Sequence, residues 1–250
     1  MSATNRGGLR AHRDYYATPP WVVDRLLARL PVGEGHPDRW IIDAGCGDGA
    51  IIERLLVTAK HKDRLIIGVE NDKLRAEKAT ERFPGTTIVV GSWLETLTIG
   101  QLFACMPEGK LPCHARLPIG IISNPPYELA LEFICRSLVF LRDSLAPPNS
   151  FAAFLLRLGF LESIKRSKLH KKHPAHLLCL DRRPSFCHSF KCRSKAKGGC
   201  GNRERYRVAT SVSQLACPKC GMSMVKTTSD ASAYAWFVYG DGQGGRWEIL

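Results

Sequence analysis

The chain has 250 residues, 44% of them hydrophobic, which suffices for one α/β domain of ordinary size and a small appendage. It lacks an apolar run of the roughly 18 residues that a membrane-spanning helix needs, and its first residues lack the apolar core of a secretory signal. A cytoplasmic, reducing setting is the expectation, with the ten cysteines serving as metal ligands or small apolar residues rather than disulfides. The net charge of +13 is one-sided: residues 1–150 hold 18 Lys/Arg against 17 Asp/Glu, residues 151–250 hold 18 against 6. Such a basic half points to a polyanionic partner, most simply nucleic acid.

Residues 1–14 are polar and expected to be flexible. Periodicity and end signals then predict a helix over 18–30, a short buried strand over 40–45 and a helix over 48–60. A strand over 64–70, a helix over 72–83 and a strand over 86–93 follow. A long loop containing Cys105, Cys113 and His114 leads to a strand over 117–123 and a helix over 128–145. Further strands are expected over 150–160, 175–180 and 231–240, with a helix near 161–170. Strands alternating with helices predict an α/β, Rossmann-like, mostly parallel sheet with helices on both faces. The core is expected over 15–185, an inserted zinc ribbon over 186–226, and the last strand with the C-terminus over 227–250.

Ligands of such sheets bind beyond the carboxyl ends of the strands. The first strand ends in "DAGCGDG" (43–49). Gly45, Gly47 and Gly49 permit a tight turn and close backbone approach, and Asp43 suits a cationic group better than a pyrophosphate. The second strand ends in "GVEND" (68–72), where Glu70 is placed to accept hydrogen bonds from ribose hydroxyls. A nucleoside with a charged, phosphate-free tail fits both: S-adenosylmethionine. The two turns also contribute Cys46 and Asn71 to the candidate donor site.

At this point the sequence resembles the class I S-adenosylmethionine-dependent methyltransferases. That resemblance implies a seven-stranded sheet with the last strand antiparallel. It also implies Asp43, Gly45 and Gly47 on the methionine side and Glu70 on the ribose. Where the family often has an acidic residue after the third strand, this chain has Ser92 and Trp93, so Trp93 is expected beside the adenine.

The fourth strand ends in Asn124-Pro125-Pro126-Tyr127. An exocyclic amine on a base is a poor nucleophile because its lone pair is delocalised. The Asn124 side-chain oxygen and the Pro125 carbonyl are suited to accept its two N–H groups, with the prolines holding both rigid. Tyr127 is suited to stack on an extruded base. The quartet resembles the signature of amino-methyltransferases acting on adenine N6 or cytosine N4, and it occurs also in enzymes that methylate a glutamine of release factors. "DYYATPPWVVDRLL" (14–27) is similar to the N-terminal motif of N6-adenine DNA methyltransferases, with Tyr16, Thr18 and Pro19 matching beside the donor site. "RRPSF" (182–186) and "TSDASAYAWFVY" (228–239) resemble the C-terminal pattern of phage-type members. The implied activity is methyl transfer to adenine N6 in DNA. The alternatives are RNA adenine, cytosine N4, a protein glutamine, and a non-catalytic nucleic-acid-binding module.

Cys217-Pro-Lys-Cys220-Gly is a knuckle that supplies two thiolates and a turn glycine, and Cys200-Gly201 repeats its ending. Cys192 and Cys200 are the expected partner pair, with Cys187 as alternate to Cys192 and His188 a weaker candidate. The expectation is a structural Zn²⁺ on four thiolates, in a segment with little apolar material of its own. Residues 151–226 carry 17 Lys/Arg against 3 Asp/Glu, which fits a phosphate-contacting region, DNA being favoured over RNA.

Overall fold

The computed structural model describes residues 17–95, 98–105, 117–184, 186–192, 200, 205–209, 216–227, 232–240 and 244–250. The chain divides into two compact units: Pro20–Arg182 with Ser232–Leu250, and Met1–Pro19 with Arg183–Ala231.

The larger unit is built on β1 (Trp40–Ala44), β2 (Ile66–Glu70), β3 (Thr87–Val90), β4 (Ile119–Ser123), β5 (Phe151–Arg157), β6 (His176–Cys179), β10 (Tyr234–Tyr239) and β11 (Trp247–Ile249). Every residue of β1, β2, β4 and β10 is buried. That is why these strands read as near-continuous apolar runs, interrupted by Asp43 in β1 and ended by Glu70 in β2 and Ser123 in β4: both faces are covered, so nothing selects an alternating pattern. The spatial order is β11-β6-β10-β5-β4-β1-β2-β3. All pairs are parallel except those of β10, which runs antiparallel to β5 and to β6. The architecture is α/β and Rossmann-like, a mostly parallel sheet flanked by helices.

The helices are α1 (Pro20–Leu27), α2 (Ala50–Val57), α3 (Lys73–Arg82), α4 (Ile99–Ala104), α5 (Ala130–Asp143) and α6 (Ile164–Lys172). One face of the sheet, with Ile42, Ile67, Ile121, Phe154 and Phe237, packs in a single core with Phe133 and Ile134 of α5 and Leu169 of α6. The opposite face meets α1 and α2. Trp236 Nε1 donates to the Val22 carbonyl of α1 at 3.0 Å, and Ile52 of α2 sits against Gly68. A fork from Arg54 onto the two Asp24 oxygens, at 2.8 and 3.0 Å, ties α2 to α1.

In the larger unit two elements were not anticipated. Helix α4 occupies part of the expected loop. It is opened by a reciprocal cap in which Gln101 N donates to Thr98 Oγ1 and Thr98 N to Gln101 Oε1, and Leu102 anchors it in the core. Strand β11 adds an eighth member to the seven expected ones. Three residues are too short to show a period.

In the smaller unit the cysteine-rich segment forms an antiparallel sheet of order β8-β7-β9, from β7 (Cys187–Lys191), β8 (Arg205–Ala209) and β9 (Val225–Thr227).

Candidate active site and cysteine cluster

The glycine turn leaves β1 with Gly45, Gly47 and Gly49 at φ of 79°, 58° and 88°, a region disfavoured for any side chain. The Gly45 and Cys46 amides both donate to the Val69 carbonyl of β2 at 2.8 and 3.0 Å. Glu70 closes the turn. Its Oε2 accepts from the Gly47 amide and its Oε1 from the Asp72 amide, each at 2.8 Å. A carboxylate oxygen has two lone-pair sites, so each retains acceptor capacity toward a ligand hydroxyl. At Gly49 a Cβ would stand 2.3 Å from the Phe83 ring, so the position excludes a side chain on space as well as on backbone.

Asp43, the last but one residue of β1, is 0% exposed. Among the described residues neither of its carboxylate oxygens has a hydrogen-bond partner. Burial, and secondarily the neighbouring Glu70 charge, push its carboxyl well above the ordinary carboxylate range. A buried acid with unsatisfied oxygens beside an open glycine turn is matched by a cationic group.

On the other side of β1, Ser123 Oγ donates to the Ala44 carbonyl and ties the end of β4 to the end of β1. Asn124 follows, half-buried, then Pro125, which is buried. Pro126 has φ −53° and ψ 125°, and its carbonyl accepts from the Leu129 amide at 2.9 Å, closing a 3-10 turn over Tyr127–Leu129. The register pairs Ala44 with Val69 and Asp43 with Ile122. One step beyond the first pair and two beyond the second, Glu70, Gly45 and Asn124 therefore leave three adjacent strands at one level, in a row spanning about 10 Å, two strand spacings. Sequence reasoning missed two residues here. Arg157, at the end of β5, places its guanidinium carbon 4.9 Å from the Tyr127 ring centroid, and its Nε donates to Tyr234 Oη at 3.0 Å. The expected antiparallel last strand was the available signal, since it brings the start of β10 beside the end of β5.

Other expected donor-site residues are placed differently. Trp93, expected beside an adenine, is 2% exposed: its Nε1 donates to Ser137 Oγ of α5 at 3.0 Å, and its ring packs 5.3 Å from Phe140. Ser92 Oγ accepts from the Leu94 amide in the turn after β3. Cys46 is buried, its Sγ turned toward Gly68 of β2, where a Cβ would meet it at 2.8 Å. Burial, then the Asp43 and Glu70 charges, raise its thiol and keep it neutral. Asn71 is exposed at the end of β2. Thr18 and Pro19 are buried and belong to the smaller unit, while Tyr16, Cys113 and His114 lie outside the described residues.

In the smaller unit the sulfurs of Cys192, Cys200, Cys217 and Cys220 lie within 4.8 Å of one another. Cys192–Cys220 and Cys192–Cys200 are 3.6 Å apart and Cys200–Cys217 3.7 Å. A disulfide would need about 2.05 Å. A tetrahedral metal with sulfur bonds of about 2.3 Å has sulfur edges of roughly 3.8 Å. The Cys217–Cys220 turn closes through Gly221, at φ +69°, whose amide donates to the Cys217 carbonyl at 2.8 Å. Backbone amides, those of Met222 and Cys200 foremost, lower the Cys220 thiol to about 6, and the Lys219 backbone amide foremost lowers that of Cys217. Cys187, the alternate candidate, stands on β7 in register with Ala209.

No protein-family model and no curated protein matches the sequence. Among solved structures, the chain is similar to a methyltransferase from Pyrococcus furiosus (14% identity, TM-score 0.46, covering 96% of this chain and 91% of that one). A second is an S-adenosylmethionine-dependent O-methyltransferase from Thermotoga maritima (13%, TM-score 0.45, 90% and 66%). A third is a TehB-like S-adenosylmethionine-dependent methyltransferase from Corynebacterium glutamicum (15%, TM-score 0.42, 87% and 86%).

Proposed function

We propose that this chain is an S-adenosylmethionine-dependent methyltransferase acting on the N6 amine of adenine in DNA. The observation that carries the reading is the row of Glu70, Gly45 and Asn124 at one edge of the sheet, with the buried, unsatisfied Asp43 carboxylate beside it. When bound, S-adenosylmethionine supplies a methyl group on a positively charged sulfur. Asp43 and the glycine turn would receive the cationic methionine end, and Glu70 the ribose hydroxyls. The Asn124 side-chain oxygen and the Pro125 carbonyl would accept the amine N–H groups, favouring a pyramidal nitrogen with its lone pair turned outward. Tyr127 would stack on the base, so that the acceleration comes mainly from positioning.

The four cysteines fit a structural Zn²⁺ by donor type and by sulfur spacing. Its contribution would be to hold the small sheet folded. The basic excess over 151–226, including Lys165, Arg166, Lys168, Lys171 and Lys172 on α6, would meet phosphates.

The test is transfer of radiolabelled methyl from S-adenosylmethionine to duplex DNA, single-stranded DNA, structured RNA and protein, followed by nucleoside analysis. N6-methyladenine in DNA, lost in Asn124→Ala with donor affinity retained, is the expected result. Label only in RNA or protein would reassign the acceptor, and full activity of Asn124→Ala would end the proposed role of the loop.

A further inference from the structure

Arg157 is the last residue of β5, and Tyr234, the first of β10, is its antiparallel partner in the sheet. Tyr234 is 1% exposed, so its hydroxyl is a fixed point. Arg157 Nε donates to that hydroxyl at 3.0 Å. The guanidinium carbon then stands 4.9 Å from the centroid of Tyr127 and 5.9 Å from that of Tyr234, the two rings being 6.0 Å apart and inclined by 50°. The loop prolines stiffen the backbone leading into Tyr127, but they leave its side-chain torsions to be set by neighbours.

We propose that Arg157, anchored on Tyr234, is a positioning residue that holds the Tyr127 ring and restricts the acceptor to a neutral, planar group. This rests on the reading of Tyr127 as an acceptor-side residue. Two consequences follow from the geometry. The face of Tyr127 beneath the guanidinium is closed to a substrate, so an incoming ring cannot stack there. A cation over that face also withdraws negative potential from the ring. Stacking of a neutral, electron-rich base is thereby favoured, while a protonated amine or an imidazolium meets repulsion from a charge that does not titrate in the working range. The guanidinium thus selects against cationic side chains and for neutral planar groups, nucleobases among them.

The test compares Arg157→Met and Arg157→Lys with the wild type. Ring resonances of ¹³C-labelled Tyr127, assigned through Tyr127→Phe, should shift in Arg157→Met. Donor affinity by calorimetry should stay within about twofold, since Arg157 is not among the groups placed on the donor side. With a DNA substrate, kcat should fall about 100-fold in the Met variant and KM under about threefold, the pattern of a misplaced acceptor. The Lys variant, which keeps the charge but not the planar fork, should recover about tenfold of that loss. In a Tyr127→Leu background the Met substitution should cost under about twofold more, because Arg157 acts through the ring. Unshifted Tyr127 resonances, or additive losses in the double variant, would overturn the inference. A wild type that methylates no nucleic acid would instead end the functional reading, and the resonances would still decide whether Arg157 holds the ring.

Discussion

The larger unit buries whole strands. Trp236, Phe237 and Val238 of β10 are each 0% exposed, as are Ile41 and Ile42 of β1, and its core runs from Trp40 to Tyr239. In the smaller unit, the cluster among the described residues consists of Cys192, Cys217 and Met224, with Cys200 packed on it. One region distributes its stability over many apolar contacts of about 25 cal/mol per Å². In the other, the proposed zinc would concentrate it in four sulfurs. Distributed cohesion tolerates single losses, whereas a coordination site fails as a whole.

The sharpest way to break this contrast is to remove the Cys217–Cys220 knuckle. Cys217→Ser/Cys220→Ser should lose the proposed zinc, about one per chain, and collapse hydrogen-exchange protection in β7, β8 and β9, while protection in β1, β4 and β5 persists. Metal analysis paired with exchange mass spectrometry reads both; retained protection in the metal-free variant would contradict the contrast. Next in size is Trp236→Ala, which deletes a fully buried indole and its bond to Val22. A loss of about 3–5 kcal/mol is expected in urea unfolding, with zinc content unchanged. Gly49→Ala introduces a Cβ at φ +88° against the Phe83 ring and should cost about 1–3 kcal/mol. Its effect on donor affinity, measured by calorimetry, should exceed that of Trp236→Ala because the strain falls in the turn itself.

The effect on stability that depends on pH belongs to Asp43. Its folded-state value is raised above the unfolded one, so the protonated form favours the native state. Stability from this group is present below the ordinary carboxylate value of about 4 and is lost as pH rises toward the raised value. Asp43→Asn in the donor-free protein should therefore gain on the wild type progressively with pH across that window, seen as a widening difference in urea midpoints. The same change should weaken the donor by about tenfold or more. A pH-independent difference would show that the carboxyl is not held neutral.

Much of this architecture is legible in the sequence because burial on both faces leaves an unmistakable trace: β1, β2 and β4 appear as apolar runs that end in Gly, Glu or Asn-Pro-Pro. The turns are legible for a related reason, since their backbone demands glycine and proline. What is hidden depends on three-dimensional partnership. Trp93 has the composition of a ligand-stacking residue, and only the position of Ser137 on α5 reveals it as core. Arg157 and Tyr234 are 77 residues apart and meet only because β10 returns antiparallel beside β5. Helix α4 carried its own signal, the Thr98–Gln101 cap, within a segment otherwise poor in periodicity.

The bond from Ser123 to the Ala44 carbonyl has a consequence for redesign. It makes the offset between the glycine turn and Asn124 a property of strand register, and register changes only in whole-residue steps that turn every side chain over. Loop grafts distal to Pro126 therefore leave that offset intact. Under the proposed function, the acceptor side would be an exchangeable cassette on a fixed gauge, and a library built there would sample new substrates without recalibrating the donor side.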